Sequence, residues 1–335
     1  RVTLKELVYP IVSDGSQGSQ VRDIDGNEYI DLAIGYGVSF FGHGFKPVVE
    51  AVCKQMQRGY DLGPQSRTAA DVARLISEIT GVERVAFGNT GSEAVMIAMR
   101  LARTVTQRSK IVLFAGSYHG ISDGALALPA SEGQAAPAAS GIPPEMVQNV
   151  TVLNYGTPDS LETIRSMAQS GELAAVLVEP VQSRRPGFQP REFLHDVRRI
   201  TEENDVVLIF DEMLTGFRIQ PDGAQGYFGV QADLVTYGKV VGGGFPIGVV
   251  AGRAAIMDAV DGGAWGYGDD SIPGKEMTFF AGTFCKHPAA MAAAYVVLKH
   301  IRDGGAAPYL ALRERSQQFV DRLNKFFIDE DVPFE

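Results

Sequence analysis

The feature that most constrains the fold is a series of short apolar segments that alternate with helical patterns from residue 84 onward. Seven segments consist largely of Val, Ile, Leu and Ala, at 84–88, 110–114, 149–153, 174–180, 206–212, 234–239 and 247–252. Helical patterns lie between several of them, at Glu93–Thr106, Asp159–Ser170 and Glu192–Glu203. Uninterrupted apolar strands separated by helices are typical of a parallel sheet buried on both faces. The sequence therefore predicts an α/β fold with a mostly parallel, seven-stranded sheet and flanking helices.

Smaller elements are expected before this sheet. A DG turn joins Val21–Arg22 to Glu28–Leu32 as a hairpin. Apolar residues at helical spacing predict helices over Phe45–Arg58 and Ser66–Thr80, the second ending at Gly81. The Ala-, Pro- and Gly-rich stretch Ala130–Pro144 predicts a long loop.

The end of the chain predicts a further unit. A long helix is expected over Leu310–Phe327, and the DEDVPFE that follows resembles the entry to another strand. We therefore divide the chain into an N-terminal segment (1–60), a large domain (61–305) and the start of an incomplete smaller C-terminal domain (306–335). A start without Met and an end within an element favour a piece of a longer chain.

Composition excludes several classes of function. The chain has 335 residues, and 30 basic against 40 acidic side chains leave a net charge of −10 with no basic run, which argues against nucleic-acid binding. No apolar run is long enough to span a membrane. The two cysteines, Cys53 and Cys285, lie far apart and suggest a reducing, cytoplasmic setting. The five histidines never approach HExxH spacing, so no metal site is expected.

Chemically useful side chains follow several predicted strands. In a parallel sheet, ligands bind beyond the carboxyl ends of the strands, so residues at those ends should meet at one rim. The rim then collects hydroxyls, an aromatic ring, carboxylates and an amine, from Thr90, Gly91, Ser92, Tyr118, His119, Glu179, Asp211, Glu212 and Lys239.

The segment FGNTGSEA passes from a strand through small residues into a helix. Free N–H groups at a helix start, together with the hydroxyls of Thr90 and Ser92, form an anion site suited to a phosphate. The alternative is a plain N-terminal cap beside a glycine turn. Because neither GxxxxGK[ST] nor a suitably placed GxGxxG occurs, a nucleotide is the weaker hypothesis.

Lys239 and Asp211 each end an apolar strand. A desolvated lysine is a better nucleophile, although most lysines are solvated surface groups. A strand-end aspartate alone is more often a cap or a structural ion-pair partner. Together with a phosphate site, however, these are the groups that pyridoxal phosphate (PLP) requires: an amine for its aldehyde and a carboxylate for its ring nitrogen.

At this point the sequence resembles the class III, fold-type I PLP-dependent aminotransferases. The resemblance covers nearly the whole chain and is most specific in IFDEMLTGFR followed by YGKVVGGGFPIG. Other matching segments are VRDIDGNEYIDLAIGYG, FGNTGSEAVMIAMRLAR, SYHG, VLVEPVQ and FAGTFCKHPAAMAAA. Within the family, the chain looks closest to the glutamate-1-semialdehyde aminomutase branch.

The resemblance implies a role for each matching residue. Lys239 is the Schiff-base lysine and proton carrier, and Asp211 pairs with the ring nitrogen. Tyr118 stacks on the ring beside His119, and Met213 packs on the opposite face. The phosphate is held by Thr90, Gly91 and Ser92, and by Thr283 of a neighbouring subunit, which implies a homodimer with shared sites. Tyr36 lines the substrate entrance, and Glu179 is assigned to the substrate side.

Two segments depart from the aminomutases. SRRPG, at 183–187, replaces small residues and an Asn, which places Arg184 near the phenolic oxygen of the cofactor and on the substrate side. Arg184 and Arg185 are also candidates for a carboxylate clamp if the acceptor is a free keto acid. SRRPG and TFCKHP look instead like aminotransferase domains of polyketide and peptide synthases. This resemblance favours amino transfer from an amino acid donor to a β-ketoacyl thioester on an acyl carrier protein. The alternative is a stand-alone glutamate-1-semialdehyde 2,1-aminomutase-like enzyme that acts on a free substrate.

Two other classes of function remain to be weighed. GISDG, at 120–124, matches the GxSxG pattern of serine hydrolases. Ser122 lies several residues beyond its strand, however, and the following ALALPASEG is a weak helix, so a nucleophile elbow is not expected. The other alternative is a regulatory domain that binds the cofactor without turnover. The intact lysine, aspartate and phosphate loop argue against it.

Overall fold

The computed structural model describes residues 10–130, 134–266 and 268–332, which contain three β-sheets. The strands are β1 (Ser13–Gln17), β2 (Gln20–Asp23), β3 (Glu28–Ile30), β4 (Arg84–Gly88), β5 (Lys110–Phe114), β6 (Ala127–Pro129), β7 (Ala135–Pro137), β8 (Val150–Leu153), β9 (Leu173–Val178), β10 (Val207–Asp211), β11 (Leu234–Tyr237) and β12 (Gly248–Gly252). The helices are α1 (Ile34–Gly37), α2 (Lys46–Arg58), α3 (Arg67–Thr80), α4 (Gly91–Thr106), α5 (Pro158–Gln169), α6 (Arg191–Glu203), α7 (Gly223–Phe228), α8 (Ala254–Met257), α9 (Pro288–Gly304) and α10 (Ala307–Asp329).

The central sheet has seven strands in the order β4-β12-β11-β10-β9-β5-β8. The pairs that join β11, β10, β9, β5 and β8 are all parallel, whereas β12 pairs antiparallel with both β11 and β4. The predicted mostly parallel, seven-stranded α/β fold is therefore confirmed. The seven strands lie within two residues of the expected segments at both ends.

Apolar side chains cover both faces of this sheet. Leu208 and Phe210 of β10 belong to one buried cluster, together with residues of α3, α6 and α9. Ile209, between them in sequence, belongs to a second cluster that includes α4. Successive strand residues point to opposite faces, so a strand buried on both faces needs an uninterrupted apolar sequence. This double burial explains why the apolar runs were visible in the sequence.

The N-terminal hairpin and the first two long helices also match the sequence. Val21 pairs with Tyr29 and Arg22 with Glu28, while β1 adds a third strand that the sequence did not indicate. The helix α9 was also missed. Its Ala-rich sequence packs closely against α2 and α3, and such packing depends on contacts distant in the chain.

The stretch expected to be one long loop contains a strand. Within Ala130–Pro144, β7 pairs antiparallel with β6, with Ala127 opposite Pro137. The expectation of a weak helix in ALALPASEG was therefore wrong for Ala127–Pro129, since cross-strand pairing outweighed the helical preference of alanine. Residues 131–133 lie outside the described residues.

The last helix, α10, is longer than expected at both ends. Its attachment lies near its start, where buried Tyr309 donates a hydrogen bond to the carbonyl of Phe217 at 2.9 Å. The strand entry expected in DEDVPFE cannot be followed, because residues 333–335 lie outside the described residues. No helix in the described part of the chain is long and apolar enough to cross a membrane.

Candidate active site

A cavity of about 320 Å³ opens at the carboxyl ends of the parallel strands. It brings together nine of the residues that the sequence analysis selected: Thr90, Gly91, Ser92, Tyr118, His119, Glu179, Asp211, Met213 and Lys239. They come from five separate stretches of the chain, and the strand order alone makes them neighbours. The residues that were expected to lie at one rim of the sheet therefore line a single cavity.

Asp211, the last residue of β10, is 2% exposed and lies within a hydrogen-bond network. Its Oδ2 is 2.8 Å from Nδ1 of His119, which donates the hydrogen bond. Its Oδ1 accepts from the Met213 N–H at 3.1 Å and from the Thr236 hydroxyl at 3.2 Å. This network fixes the carboxylate in one orientation. It leaves Nε2 of buried His119 without a partner among the described residues.

Lys239 begins the short 3-10 turn Lys239–Gly242 that follows β11. Its backbone has a positive φ of 44°, an uncommon conformation for a residue with a side chain. Burial lowers the pKa of its amine, while the Asp211 and Glu179 carboxylates act in the opposite direction and Arg218 adds to the lowering. A larger fraction of the amine is therefore neutral than on a surface lysine.

The start of α4 forms another wall of the cavity. Thr90 caps the helix by accepting from the Glu93 N–H at 3.1 Å, and Glu93 completes a reciprocal capping box. The N–H groups of Gly91 and Ser92 donate to no described group. A Cβ on Gly91 would lie 2.7 Å from the sulfur of Met213, so a larger residue would displace the Met213 side chain. The plain-cap alternative is thus correct for Thr90, while the free N–H groups of Gly91 and Ser92, which line the cavity, are the kind of donors that an anion site requires.

Glu179 follows β9 and is 5% exposed. Its carboxylate accepts from the backbone N–H of Ser183 at 2.8 Å and of Tyr118 at 3.2 Å. Burial raises the pKa of Glu179, and these hydrogen bonds partly oppose the rise. Glu179 thereby joins the two loops that border the cavity.

Glu212 does not belong to the cavity lining, although it follows Asp211 directly. Its buried carboxylate accepts from the N–H groups of Ala224 and Gln225 and from the Thr215 hydroxyl. Burial raises the pKa of Glu212 to about 7. Its role is to hold α7 against the sheet, which corrects its expected place at the rim.

Three residues that the sequence indicated for the site lie outside the cavity lining. Tyr36 is 88% exposed, and Arg184 and Thr283 are also exposed. The backbone of Glu179–Ser183 turns so that Ser183, and not Arg184, borders the cavity. The structure of this chain therefore does not bring Arg184 to the cavity, contrary to its expected place beside the cofactor.

Ser122 does not occupy a nucleophile elbow. It precedes a single 3-10 turn, Asp123–Ala125, and not a helix that follows a strand directly. Within the described ranges, no histidine is hydrogen-bonded to its hydroxyl. The geometry gives the hydrolase alternative no support.

Sequence reasoning missed several residues of the site. Val38, Leu214 and the stretch Phe245–Ile247 line the cavity, and Thr236 and Ser183 hold its carboxylates. Leu214 and Phe245–Ile247 lie inside the motifs that carry the family resemblance, which was the available signal. Thr236 reaches Asp211 only because β11 pairs with β10 in the register that sets these two residues opposite each other.

Comparisons with known proteins agree with this geometry. The family description "Aminotransferase class-III" matches residues 3–331. A glutamate-1-semialdehyde 2,1-aminomutase from Methanothermobacter thermautotrophicus is 40% identical over 329 residues, which cover 98% of this chain and 74% of that protein.

Solved structures give the same result. An omega-transaminase from Sphaerobacter thermophilus is similar with a TM-score of 0.79 and 33% identity, covering 89% of this chain and 68% of that one. A transaminase with PLP bound is similar with a TM-score of 0.78 and 32% identity, covering 89% and 69%. The family match spans nearly the whole chain, and the rim residues meet in one cavity. The chain therefore belongs to the class-III aminotransferases, which transfer amino groups with pyridoxal phosphate.

Proposed function

We propose that this chain exchanges amino and carbonyl groups within a small amino aldehyde, in the manner of a glutamate-1-semialdehyde 2,1-aminomutase. The main support for the proposal is that Asp211, Lys239 and the start of α4 line the same cavity. The 40% sequence identity to an aminomutase, over 98% of this chain, supports an amino aldehyde as the substrate class.

The residues of the cavity fit PLP. The free N–H groups of Gly91 and Ser92 suit its phosphate, and the ordered carboxylate of Asp211 suits a protonated ring nitrogen. The amine of Lys239 suits its aldehyde, because burial keeps more of it neutral. The buried, unpartnered Nε2 of His119 marks the place of a further polar contact.

When bound, PLP takes up an amino group and withdraws electrons from the carbon that bears it. Asp211 supplies a fixed negative charge, and His119 keeps the carboxylate from rotating. Lys239, as a neutral amine, accepts a proton from one substrate carbon and returns it to another. Tyr118 and Met213 line the cavity, and the family resemblance implies that they pack on the two faces of the cofactor ring.

Phosphate contact from a second subunit is part of the proposal. Thr283 is exposed in this chain and lies in a stretch with several exposed apolar side chains, namely Ile272, Met277, Phe279 and Phe284. An exposed apolar surface of this kind is typical of a protein interface. We infer a homodimer in which Thr283 of each subunit completes the site of the other.

The sequence favours a carrier-bound thioester as the amino acceptor. This acceptor has less support than the free amino aldehyde of the aminomutase reaction. The similar proteins named above are an aminomutase and two transaminases. Arg184, the distinguishing residue of SRRPG, lies away from the cavity lining. A free amino aldehyde is the better-supported substrate.

The substrate is tested by offering the pyridoxamine-loaded protein glutamate semialdehyde or a β-ketoacyl carrier protein. An aminomutase isomerises the semialdehyde with no change in mass and with no external amino donor, which NMR and mass spectrometry detect together. Lys239→Ala is the control for reaction without the enzyme. Amine found only on the carrier-bound chain would overturn the proposal and restore the thioester hypothesis.

The shared site is tested by complementation. Lys239→Ala and Thr283→Trp proteins are each expected to be inactive, because one lacks the amine and the other blocks the partner's phosphate site. In a mixed dimer, one of the two sites has both native residues, so an equal mixture should recover about a quarter of wild-type activity. No recovery, in a mixture shown to exchange subunits, would contradict a site shared through Thr283.

A further inference from the structure

The turn α1, Ile34–Gly37, has an unusual backbone. All four residues have positive φ: 43° at Ile34, 61° at Gly35, 53° at Tyr36 and 96° at Gly37. For a β-branched residue such as Ile34 this region is a genuine outlier, and such strain persists only where the surroundings hold it. The contacts at the two ends of the turn therefore show what maintains it.

Asp31 holds the first end. Its Oδ1 accepts from the N–H groups of Ala33 at 2.9 Å and Ile34 at 2.8 Å. Its Oδ2 lies 2.7 Å from Nε2 of His43. These bonds keep the pKa of Asp31 below its ordinary value, the contact with His43 being the largest cause. They anchor the turn to its own N-terminal segment, but not to the large domain.

Arg218 holds the other end and comes from the large domain. Its Nη2 donates to the carbonyl of Gly37, and its Nε donates to the carbonyl of Leu214 at 3.0 Å. Its guanidinium lies 5.4 Å from the ring centre of Phe40. One planar cation thus ties the turn to the loop that follows Asp211.

Both tied segments border the catalytic cavity. Val38 follows the turn directly and lines the cavity, and so do Met213 and Leu214 on the other segment. The fit is tight, since a Cβ on Gly37 would lie 2.8 Å from Cδ1 of Leu214 and 3.1 Å from Nη2 of Arg218. A loss of the Arg218 bonds would let these two walls separate.

Arg218 has no carboxylate at ion-pair distance from its guanidinium within the described ranges. The guanidinium is held by the two carbonyls and lies against the Phe40 ring. Among the charged groups that act on the pKa of Lys239, Arg218 has the smallest effect and adds to the lowering by burial.

We propose that Arg218 is a positioning residue that sets the spacing of the Val38 and Leu214 walls of the cavity. It acts through Gly37 and Leu214, without touching the substrate. The inference rests on this cavity being the substrate site, as proposed above. It adds a residue through which the N-terminal segment controls the shape of the substrate site.

A purely structural role is the alternative, and the chain contains a matched control. Arg191 also donates to two carbonyls, of Tyr227 and Phe228, both at 2.7 Å. Its guanidinium lies 5.4 Å from the ring centre of Tyr227. Neither Arg191 nor its partners line the catalytic cavity. Substitution of Arg191 therefore removes the same types of contact without moving the site.

The test compares Arg218→Lys, Arg218→Gln, Arg191→Lys and Arg191→Gln. Lysine keeps the charge but lacks the planar guanidinium that donates to two carbonyls at once. Glutamine lacks both the charge and the guanidinium. Exchange of the turn reports the contact with Gly37, and the kinetics with the semialdehyde report the cavity wall.

The first measurement is amide hydrogen exchange of Ile34–Val38. Both Arg218 variants should increase exchange by about tenfold, and both Arg191 variants should not. The second measurement compares the change in KM with the change in kcat for the semialdehyde. Arg218→Lys should raise KM about tenfold more than it lowers kcat, because the substrate wall moves while Asp211 and Lys239 keep their places.

Arg218→Lys keeps the test decisive if Arg218→Gln fails to fold, because it keeps the charge and loses the planar guanidinium. Exchange needs no turnover, so it decides the inference even if the proposed substrate is wrong. Arg218 variants whose turn exchanges like that of the Arg191 variants would overturn it.

Discussion

The residues that the sequence indicated for the site form two groups, which differ in how much protein surrounds them. On the sheet side, His119, Glu179 and Asp211 are buried, and each makes a specific hydrogen bond. On the open side, Tyr36, Arg184 and Thr283 are exposed and lie outside the cavity lining. A buried, hydrogen-bonded group keeps its orientation through a reaction, which is what charge stabilisation needs. An exposed loop tolerates change, which is what a shift of substrate needs.

Removal of the Lys239 amine, the proposed nucleophile, should have the largest effect on the sheet side. Lys239→Ala is expected to fold but to lose a factor of at least about 10²–10⁴ in turnover, because both the amine and the general base disappear. Borohydride should fix PLP to Lys239 in the wild-type protein and to no residue of the variant, as peptide mapping would show.

Lys110→Ala is the control for this change. Lys110 lies on the surface at the start of β5 and pairs with Glu172 at 2.8 Å. Its loss should leave turnover unchanged. Label on another lysine of the wild-type protein would show that the sheet side does not contain the reacting amine.

Removal of the buried charge should have the next largest effect. Asp211→Asn preserves the shape of the side chain but not the charge, and turnover is expected to fall by about 10²–10³-fold. Cofactor occupancy, measured by absorbance, should fall much less. Equal losses would mean that Asp211 only binds the cofactor or stabilises the fold.

Asp233→Asn is the matched control. Asp233 is also a buried aspartate beside β11, but it pairs with Arg198 and Arg253 away from the cavity. Its replacement should lower the free energy of unfolding and leave turnover per folded molecule unchanged.

The pH dependence of the free energy of unfolding tests whether burial of the Glu212 carboxyl group destabilises the fold. Its pKa of about 7 in the folded state lies above the ordinary 4.5, so the folded protein keeps a proton that the unfolded chain has lost. The stability that this proton gives the folded protein is therefore fully present below pH 4.5 and is lost as the pH rises towards 7. The free energy of unfolding decreases by up to about 3 kcal/mol over this range.

Glu212→Gln cannot ionise, so this decrease should disappear. The measurement is denaturant unfolding of both proteins between pH 5 and pH 8, and the difference between them isolates Glu212. If the two proteins lose stability in parallel as pH rises, Glu212 does not carry a raised pKa.

The smallest effect is expected on the open side. Arg184→Ala should change kcat/KM for the free semialdehyde by less than about threefold, because Arg184 is exposed and outside the cavity lining. Arg185→Ala, which removes a guanidinium 4.8 Å from the Phe188 ring centre, serves as the neighbouring control. A tenfold loss confined to Arg184 would show that the substrate reaches this loop.

The sequence by itself determined the sheet and half of the site. Strands buried on both faces must be continuously apolar, so β9 and β10 were visible as local patterns. Asp211 and Lys239 were recognisable through their combination with a phosphate site and through the motifs that contain them, since neither residue alone indicated a catalytic role. The strands and the motifs are both patterns of residues adjacent in the chain.

The tertiary structure decided which neighbours these residues have. Thr236 holds Asp211 through strand register, and Arg218 reaches Gly37 across 181 positions of sequence. Alternation along a strand places Asp211 in the cavity and Glu212 under α7, while the turn after Glu179 leaves Arg184 in solvent. These outcomes depend on packing between distant segments, whose energies no local pattern records.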